Sequence, residues 1–404
     1  MQTKQFHFLD NQQLQRHTLG AMTIVLADKN ELKQIRETWQ FLEKQSKKAG
    51  LLSSWDWVES WLEQYGDVVA YWFAVGIQDG QVCGIALITK ETKRSLPLPV
   101  KAFHIGTYGE PYADATQAIG NTVLVMDQAR NEFYQALIAT IQHHFSWEEI
   151  VFDQLEQSEA TVVEEILKQI SERAVITREL CRTFDFSLMK TPKTSILDQF
   201  GSETRYTIKR SMKALGNKFQ TEWAENEEQA LSILDEMIIL YQQMWDKRGR
   251  RGMFASSRFS AFQRNIIKKL VKKGSLLYFR VKHEEFGTLG CVSMLVSDGV
   301  AYGYQIGLKD FTDVPLTTIN KKRLRVGFIV HSLFMQECYK RGIKVYNFGI
   351  GEYDYKREMA NATSEVVTIS LRRNYLPTIR DFMVKLHNQS TLSQKLLSWL
   401  LSLR

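Results

Sequence analysis

The sequence predicts an α/β chain of the α+β kind, made of two consecutive domains of like design, each a mixed, mainly antiparallel sheet flanked by helices, with an amphipathic helix at the C-terminal end. Three observations predict it. From about Lys218 to Arg373 the hydrophobic period switches between 2 and 3.6 in the order strand, two helices, three strands, helix, strand, strand. The first half runs through the same order without sequence identity, a repeat of architecture. Between them Thr191-Pro192 interrupts the pattern, so the expected domains are 1–190 and 191–375, with a helical tail over 376–404.

The second half is the more legible. The strand KFQTEW leads into NEEQALSILDEMIILYQQMW, where Ala230, Ile233, Met237, Leu240, Tyr241, Met244 and Trp245 recur at helical spacing and Asn226 is placed to cap. A basic loop, DKRGRRG, precedes a second amphipathic helix, SRFSAFQRNIIKKLVKK, ended by Gly274. LLYFRVKH, LGCVSMLVS and VAYGYQIGLK follow, joined through Glu-Glu-Phe-Gly and Ser-Asp-Gly turns, and read as three antiparallel strands. A helix from about Thr317 to Lys340 returns to the strand IKVYNFGI, and EVVTISLRR closes the unit. In the first half the corresponding segments are MTIVLA, the helices KNELKQIRETWQFLEKQ and WDWVESWLEQYG, the strands VVAYWFAVGIQ and QVCGIALITK, the helix NEFYQALIATIQHHF, the strand EEIVFDQL, VVEEILKQI, and a strand from Thr177 to Met189.

Composition bounds the function. Hydrophobic residues at 44% and aromatics at 11% supply a core for each domain and exclude a disordered chain. A formal charge of +7 favours an anionic ligand or surface without demanding nucleic acid. Cys83, Cys181, Cys291 and Cys338 are far apart, with no CxxC pair, so buried thiols in a reducing compartment are expected rather than a zinc site or disulfides. The N-terminal residues lack the apolar run of a signal peptide, and no stretch approaches the roughly 20 apolar residues of a membrane span. A cytoplasmic protein is expected.

The stretch Asn347-Phe-Gly-Ile-Gly-Glu-Tyr-Asp-Tyr-Lys356 carries the strongest chemical signal, because an apolar strand runs into glycine and then into ionisable side chains on a rigid base. A polar turn after a buried strand is the plain alternative. Together with LLSSWDWVESWLEQYG, GEPYADATQ and SETRYTIKRSMKALG, the segment FGIGEYDYKREM resembles the CelD/BcsL-type acyltransferases of the GNAT superfamily, tandem-GNAT proteins related to the Fem-type peptidyl transferases of bacterial cell-wall synthesis. The resemblance covers about residues 21 to 374.

It implies acetyl-CoA or another acyl-CoA as co-substrate and a saccharide or other envelope precursor as acceptor. A pyrophosphate suits a helix N-terminus, where N–H donors are free and the dipole favours an anion. The helix beginning near Thr317 or Thr318 is the candidate, with Lys321, Lys322, Arg323 and Arg325 in a region where the dipole disfavours cations unless an anion binds. Pro315 stands where the family has it, and Leu316 replaces a glycine that usually precedes the helix. The first-half counterpart, GTYGEPYADATQ, is acidic, so only the second half is expected to hold the cofactor. Arg205, Lys209 and Lys213 share one helical stripe, beside the cleft by the family's pattern, and are candidates for binding substrate.

Acyl transfer needs a base, an oxyanion donor and an acid for the departing thiolate. Glu352 is the first choice of base and Asp310 the reserve. Tyr355 or Tyr353 can protonate the sulfur, a backbone N–H where two strands splay apart can polarise the thioester, and Lys356 can anchor an anionic substrate group or simply pair with Glu352. No Ser, His or Cys triad is evident, so direct transfer is expected. The tail STLSQKLLSWLLSLR puts Leu392, Leu396, Trp399, Leu400 and Leu403 on one face, suited to a membrane surface, to its own core or to a dimer. An acyl-CoA-dependent N- or O-acyltransferase is the leading reading. A Fem-like transferase using aminoacyl-tRNA is the alternative and the only one that brings in nucleic acid. A non-catalytic partner in a polysaccharide-synthesis complex is the third, supported by Leu316.

Overall fold

The computed structural model describes residues 6, 9, 11–46, 50–93, 99–116, 119–170, 173–189, 195–312 and 324–389. The chain forms two compact units, the first from Met1–Arg178 with Val367–Arg404 and the second from Glu179–Val366. The passage from one to the other falls inside strand β8 (Ala174–Asp185), and the return falls inside the last strand, β14 (Ala362–Arg372).

Unit 1 comprises β1 (Gln15–Leu19), β2 (Met22–Ala27), α1 (Leu32–Gln45), α2 (Trp55–Tyr65), β3 (Ala70–Gln78), β4 (Gln81–Lys93), β5 (Val100–Ile105), the short β6 (Leu124–Val125), α3 (Arg130–His144), β7 (Glu149–Glu156) and α4 (Gln157–Ile170), and takes α10 (Leu376–Gln389) from the far end of the chain. Its sheet runs β1-β2-β3-β4-β5-β7 and then the carboxyl half of β14. The β5–β7 pairing is parallel, and the pairs from β1 to β5 are antiparallel. α2 forms because Trp57, Trp61 and Tyr65 fall one turn apart and bury completely, while Ser54 caps the helix by accepting from the Trp57 N–H. β14 is held by charge as well as by its ladder. Glu149, buried, accepts from the Ser370 hydroxyl and faces Arg372 and Arg380 at 3.5 and 3.8 Å.

Unit 2 contains α5 (Ser202–Ala214), β9 (Phe219–Trp223), α6 (Glu227–Asp246), α7 (Ser257–Leu270), β10 (Leu276–His283), β11 (Gly287–Ser297), β12 (Val300–Leu308), α8 (Val326–Lys340), β13 (Val345–Ile350) and α9 (Asp354–Met359). Its sheet order is β8-β13-β12-β11-β10-β9, antiparallel except for the parallel β12–β13 pair. Asn226 caps α6 as its position predicts, accepting from the Gln229 N–H at 3.0 Å. The Ser-Asp-Gly turn is a two-residue hairpin, with Asp298 and Gly299 both at positive φ. Phe279, Val292, Ile329, Phe334, Met335 and Tyr346 belong to a core between the sheet and α8.

The expected mixed, mainly antiparallel sheets and flanking helices are present in both units. The edge strand β1 and the strand β5 were not among the expected segments. β1 is a largely exposed, polar run without apolar alternation, and β5 takes its burial from neighbours on both sides rather than from a period of its own. Among the described residues no helix is long and apolar enough to cross a membrane. The amphipathic tail STLSQKLLSWLLSLR lies outside the described residues.

Candidate active site

The parting of two parallel strands builds the site in unit 2. β12 and β13 pair at Val300–Val345, Ala301–Tyr346 and Tyr302–Asn347, and among the described residues no further pair follows, although β12 continues to Leu308 and β13 to Ile350. Both strands are irregular where they part. Tyr304 is an extra residue of β12 opposite the Ser293–Met294 step of β11, a bulge that bends the strand. On β13 the register against β8 shifts between Asn347 and Ile350, where Gly349 adopts φ +75°. The strands touch backbone to backbone at this point: a Cβ on Gly303 would sit 3.2 Å from the Asn347 carbonyl oxygen and 3.3 Å from the Phe348 carbonyl.

Beyond the parting lies a cleft of about 970 Å³, lined by Tyr304 and Ile306 of β12, Tyr241 and Trp245 of α6, Phe328 and His331 of α8, and Tyr353 and Tyr355 after β13. Its walls are thus mostly aromatic and aliphatic, the chemistry that accepts a flexible thioester arm. Lys247, Arg248, Lys309 and Arg325 also line it, against Asp310 as the single carboxylate among the described residues. Lys247 pairs with Asp310 at 2.9 Å, Lys309 donates to the Phe286 carbonyl at 2.7 Å, and the Arg248 guanidinium lies over the Trp245 ring at 5.2 Å. The N-terminus of α8 opens on the same cleft, since Arg325, Val326, Gly327 and Phe328 all line it, and among the described residues no side chain caps that end. The Arg325 N–H, one residue earlier, donates to Ser211 Oγ of α5 at 3.3 Å, which fixes α5 beside the helix start.

Of the candidate reactive groups that line the cleft, Tyr355 is the most fully packed. It sits in α9 with its ring stacked on His331 at 5.4 Å between centroids and on Tyr353 at 6.2 Å. Burial, reinforced by Tyr353, pushes its phenol up to about 12, so it stays protonated at neutral pH. His331 is buried, its Nδ1 2.8 Å from the Tyr346 hydroxyl. Burial, with the nearby Lys356 charge, lowers it to about 4, leaving a neutral imidazole in the cleft wall. The turn that carries Tyr353 and Tyr355 is tied from below. Lys356, only 4% exposed, donates to the carbonyls of Gly349 at 3.0 Å and Ile350 at 2.7 Å and lies 5.4 Å from the Tyr353 ring. Burial lowers its pKa.

The structure therefore brings Tyr353, Tyr355 and Asp310 to the cleft and leaves other expected residues elsewhere. Glu352 does not line it. Its carboxylate accepts two bonds from the Arg182 guanidinium of β8 at 3.2 and 3.1 Å, an ion pair spanning 170 positions of sequence. Asp310 is a turn carboxylate, accepting from the Thr312 hydroxyl and N–H at 2.6 and 2.7 Å. Those bonds and Lys247 pull it down to about 2, which makes it a weak base. Lys356 serves the backbone of its own turn and neither an ion pair with Glu352 nor the cleft. Arg205, Lys209 and Lys213 lie on α5, the last two exposed, and none lines the cleft. Leu316, Thr317, Thr318, Lys321, Lys322 and Arg323 are outside the described residues, but the helix expected from near Thr317 begins only at Val326, with Leu324 and Arg325 in irregular backbone before it, so Arg325 precedes the helix and does not lie in its first turn. Two further cleft cations, Lys247 and Arg248, come from the basic loop the sequence had singled out. His331 carried no such signal, because it stands on a helix face surrounded by apolar neighbours. All four cysteines are buried, and burial raises each thiol, Cys181 to about 11 and Cys83 to about 12, so none offers a thiolate.

Comparison with known proteins agrees with this geometry. Residues 202–357, which hold the whole cleft, match the family model of the acetyltransferase (GNAT) domain, Acetyltransf_6. Residues 202–357 are thus a GNAT-type domain that contains the parted strands, and as an enzyme the protein is an acyltransferase. In fold it is similar to FemX, at TM-score 0.54 and 13% identity over 91% of this chain and 99% of that one. It is also similar to L-PGS from Bacillus licheniformis, at TM-score 0.50 and 12% identity over 88% and 97% of the two chains. The C-terminal domain of a putative lysylphosphatidylglycerol synthetase from Agrobacterium fabrum aligns at TM-score 0.51 and 10% identity, over 87% and 96%. No curated protein matches the sequence.

Proposed function

We propose that the protein transfers an acyl group from acetyl-CoA or another acyl-CoA directly to an amine or hydroxyl of a saccharide or other cell-envelope precursor, in the manner of the CelD/BcsL-type acyltransferases. The observation that carries this reading is the start of α8, without a side-chain cap among the described residues, opening on an aromatic cleft beside a phenol that stays protonated. Free N–H groups at a helix N-terminus suit a pyrophosphate, and Arg248 and Arg325 add positive charge along the same walls. The pantetheine arm then follows the apolar wall toward the parted strands.

In the transfer step the acceptor's lone pair forms a bond to the thioester carbon, the carbon–sulfur bond breaks, and the thiolate takes the Tyr355 proton. The acceptor's own proton leaves to water. Neither cleft group is basic enough to hold it, with Asp310 at about 2 and His331 at about 4. Glu352 stays in its ion pair with Arg182.

The Fem-like alternative, with aminoacyl-tRNA as donor, would use the same wedge, with the cleft cations meeting the tRNA 3′ end. Calorimetry separates the two. Acetyl-CoA should bind the full chain at about one equivalent, and Arg325→Ala should weaken it about tenfold. Failure of acetyl-CoA and CoA to bind, with aminoacyl-tRNA supporting transfer, would replace the first reading by the second. Localisation in the cytoplasm, with a peripheral seat at the membrane through the C-terminal tail, belongs to the same proposal.

A further inference from the structure

Unit 1 holds a cluster that the acyl-transfer reading does not use. His17 projects from the middle of the edge strand β1, and His143 and His144 end α3. One ring nitrogen from each lies within 4.8 Å of those of the other two, and the imidazole centroids of His17 and His143, and of His143 and His144, are 4.9 and 4.7 Å apart. Among the described residues no carboxylate or thiol belongs to the group.

We propose that His17, His143 and His144 bind one borderline divalent cation of the Zn²⁺ class, clamping the edge strand β1 to the end of α3. The donor set supports it. Three imidazoles select zinc, nickel, cobalt or copper over magnesium and calcium, which prefer oxygen. Zn–N bonds of about 2.0–2.1 Å at tetrahedral angles need nitrogens about 3.3 Å apart, which side-chain rotations of the exposed His143 and the half-buried His17 and His144 can reach from the present spacing. Such a site has a second layer already in place. His144 Nε2 lies 3.1 Å from the Arg16 carbonyl oxygen, so that nitrogen carries the proton and Nδ1 carries the lone pair, as in metal-ligating histidines oriented by a backbone carbonyl. The cluster also stands at a helix C-terminus, where the dipole favours a cation. His17 is driven toward its neutral form by partial burial and by its two neighbours.

The probe is Zn²⁺ titrated into the metal-stripped full chain, with Co²⁺ as the spectroscopic reporter. About one equivalent should bind with micromolar or tighter affinity, raise the unfolding temperature, and in the cobalt form give the visible d–d bands of an imidazole-ligated ion. His143→Asn is the primary variant, because His143 is exposed at a helix end and its loss leaves the core intact. It and His17→Gln should each weaken binding at least tenfold and remove the thermal shift. Binding that is unchanged in both variants, or absent below millimolar Zn²⁺, overturns the proposal.

Discussion

The surroundings of Tyr355 hold its phenol still further from ionisation than a free tyrosine, and the role of its hydroxyl can be tested one atom at a time. Tyr355→Phe keeps the stacking on His331 and removes only the hydroxyl, so turnover should fall about 10²-fold while acetyl-CoA affinity changes little. Steady-state kinetics beside calorimetry checks this, and Glu352→Gln in the same assay should leave both values near wild type. His331 gives a second residue-scale prediction. Its folded pKa, about 4, lies below its ordinary 6.5, so the neutral form stabilises the fold above pH 6.5 and that contribution is lost as pH falls toward 4. The loss amounts to about 3 kcal/mol for this group. Urea unfolding between pH 7 and 4 should therefore show a steeper decline in the wild type than in His331→Gln. Equal slopes would mean that the imidazole is solvated.

At the scale of elements, the wedge depends on the turn after β13 as much as on the strands. Lys356→Met leaves the Gly349 and Ile350 carbonyls without their donor, and should cost about 1–3 kcal/mol of stability. It should also lower turnover, because the turn carries Tyr353 and Tyr355. Thermal unfolding and kinetics of the one variant report both. The strands and helices that frame this turn were legible in the sequence for a local reason. In α6 and in the β11–β12 hairpin, period, cap and turn residues all lie within a few positions of one another. The short α9 was not legible, since six residues hold too little periodicity. The fate of Glu352 was hidden for the opposite reason, because its partner Arg182 is distant in sequence and adjacent only after folding. Tyr353, Tyr355 and Asp310 were found because they lie next to strand ends that the pattern did mark.

For the whole molecule, the two units share out the chain differently from the halves that the sequence suggests. β13 pairs on one side with residues Cys181 to Asp185 of β8, and unit 1 completes its sheet with Val367 to Arg372. Cutting at the Thr191–Phe200 segment therefore strips a strand from each unit. Separate expression of 1–190 and 191–404 should give insoluble or unfolded pieces, whereas their co-expression should recover acetyl-CoA binding. Circular dichroism and calorimetry on the separate pieces decide it, and an independently folded 191–404 piece that binds acetyl-CoA would show that β8 is dispensable.

The return of the last strand also fixes a timetable. A ribosome delivers the chain from its N-terminus at roughly 5–20 residues per second, and domains close as their parts emerge. Unit 2 is continuous, so every strand and helix of its cleft is translated before Val367. Unit 1 must wait, its β7 edge uncovered and Glu149 without Arg372 and Arg380, until the final stretch arrives. The half translated first is the half finished last, and the residues of the acyltransferase cleft are all made before the strand that closes the unit that began the chain.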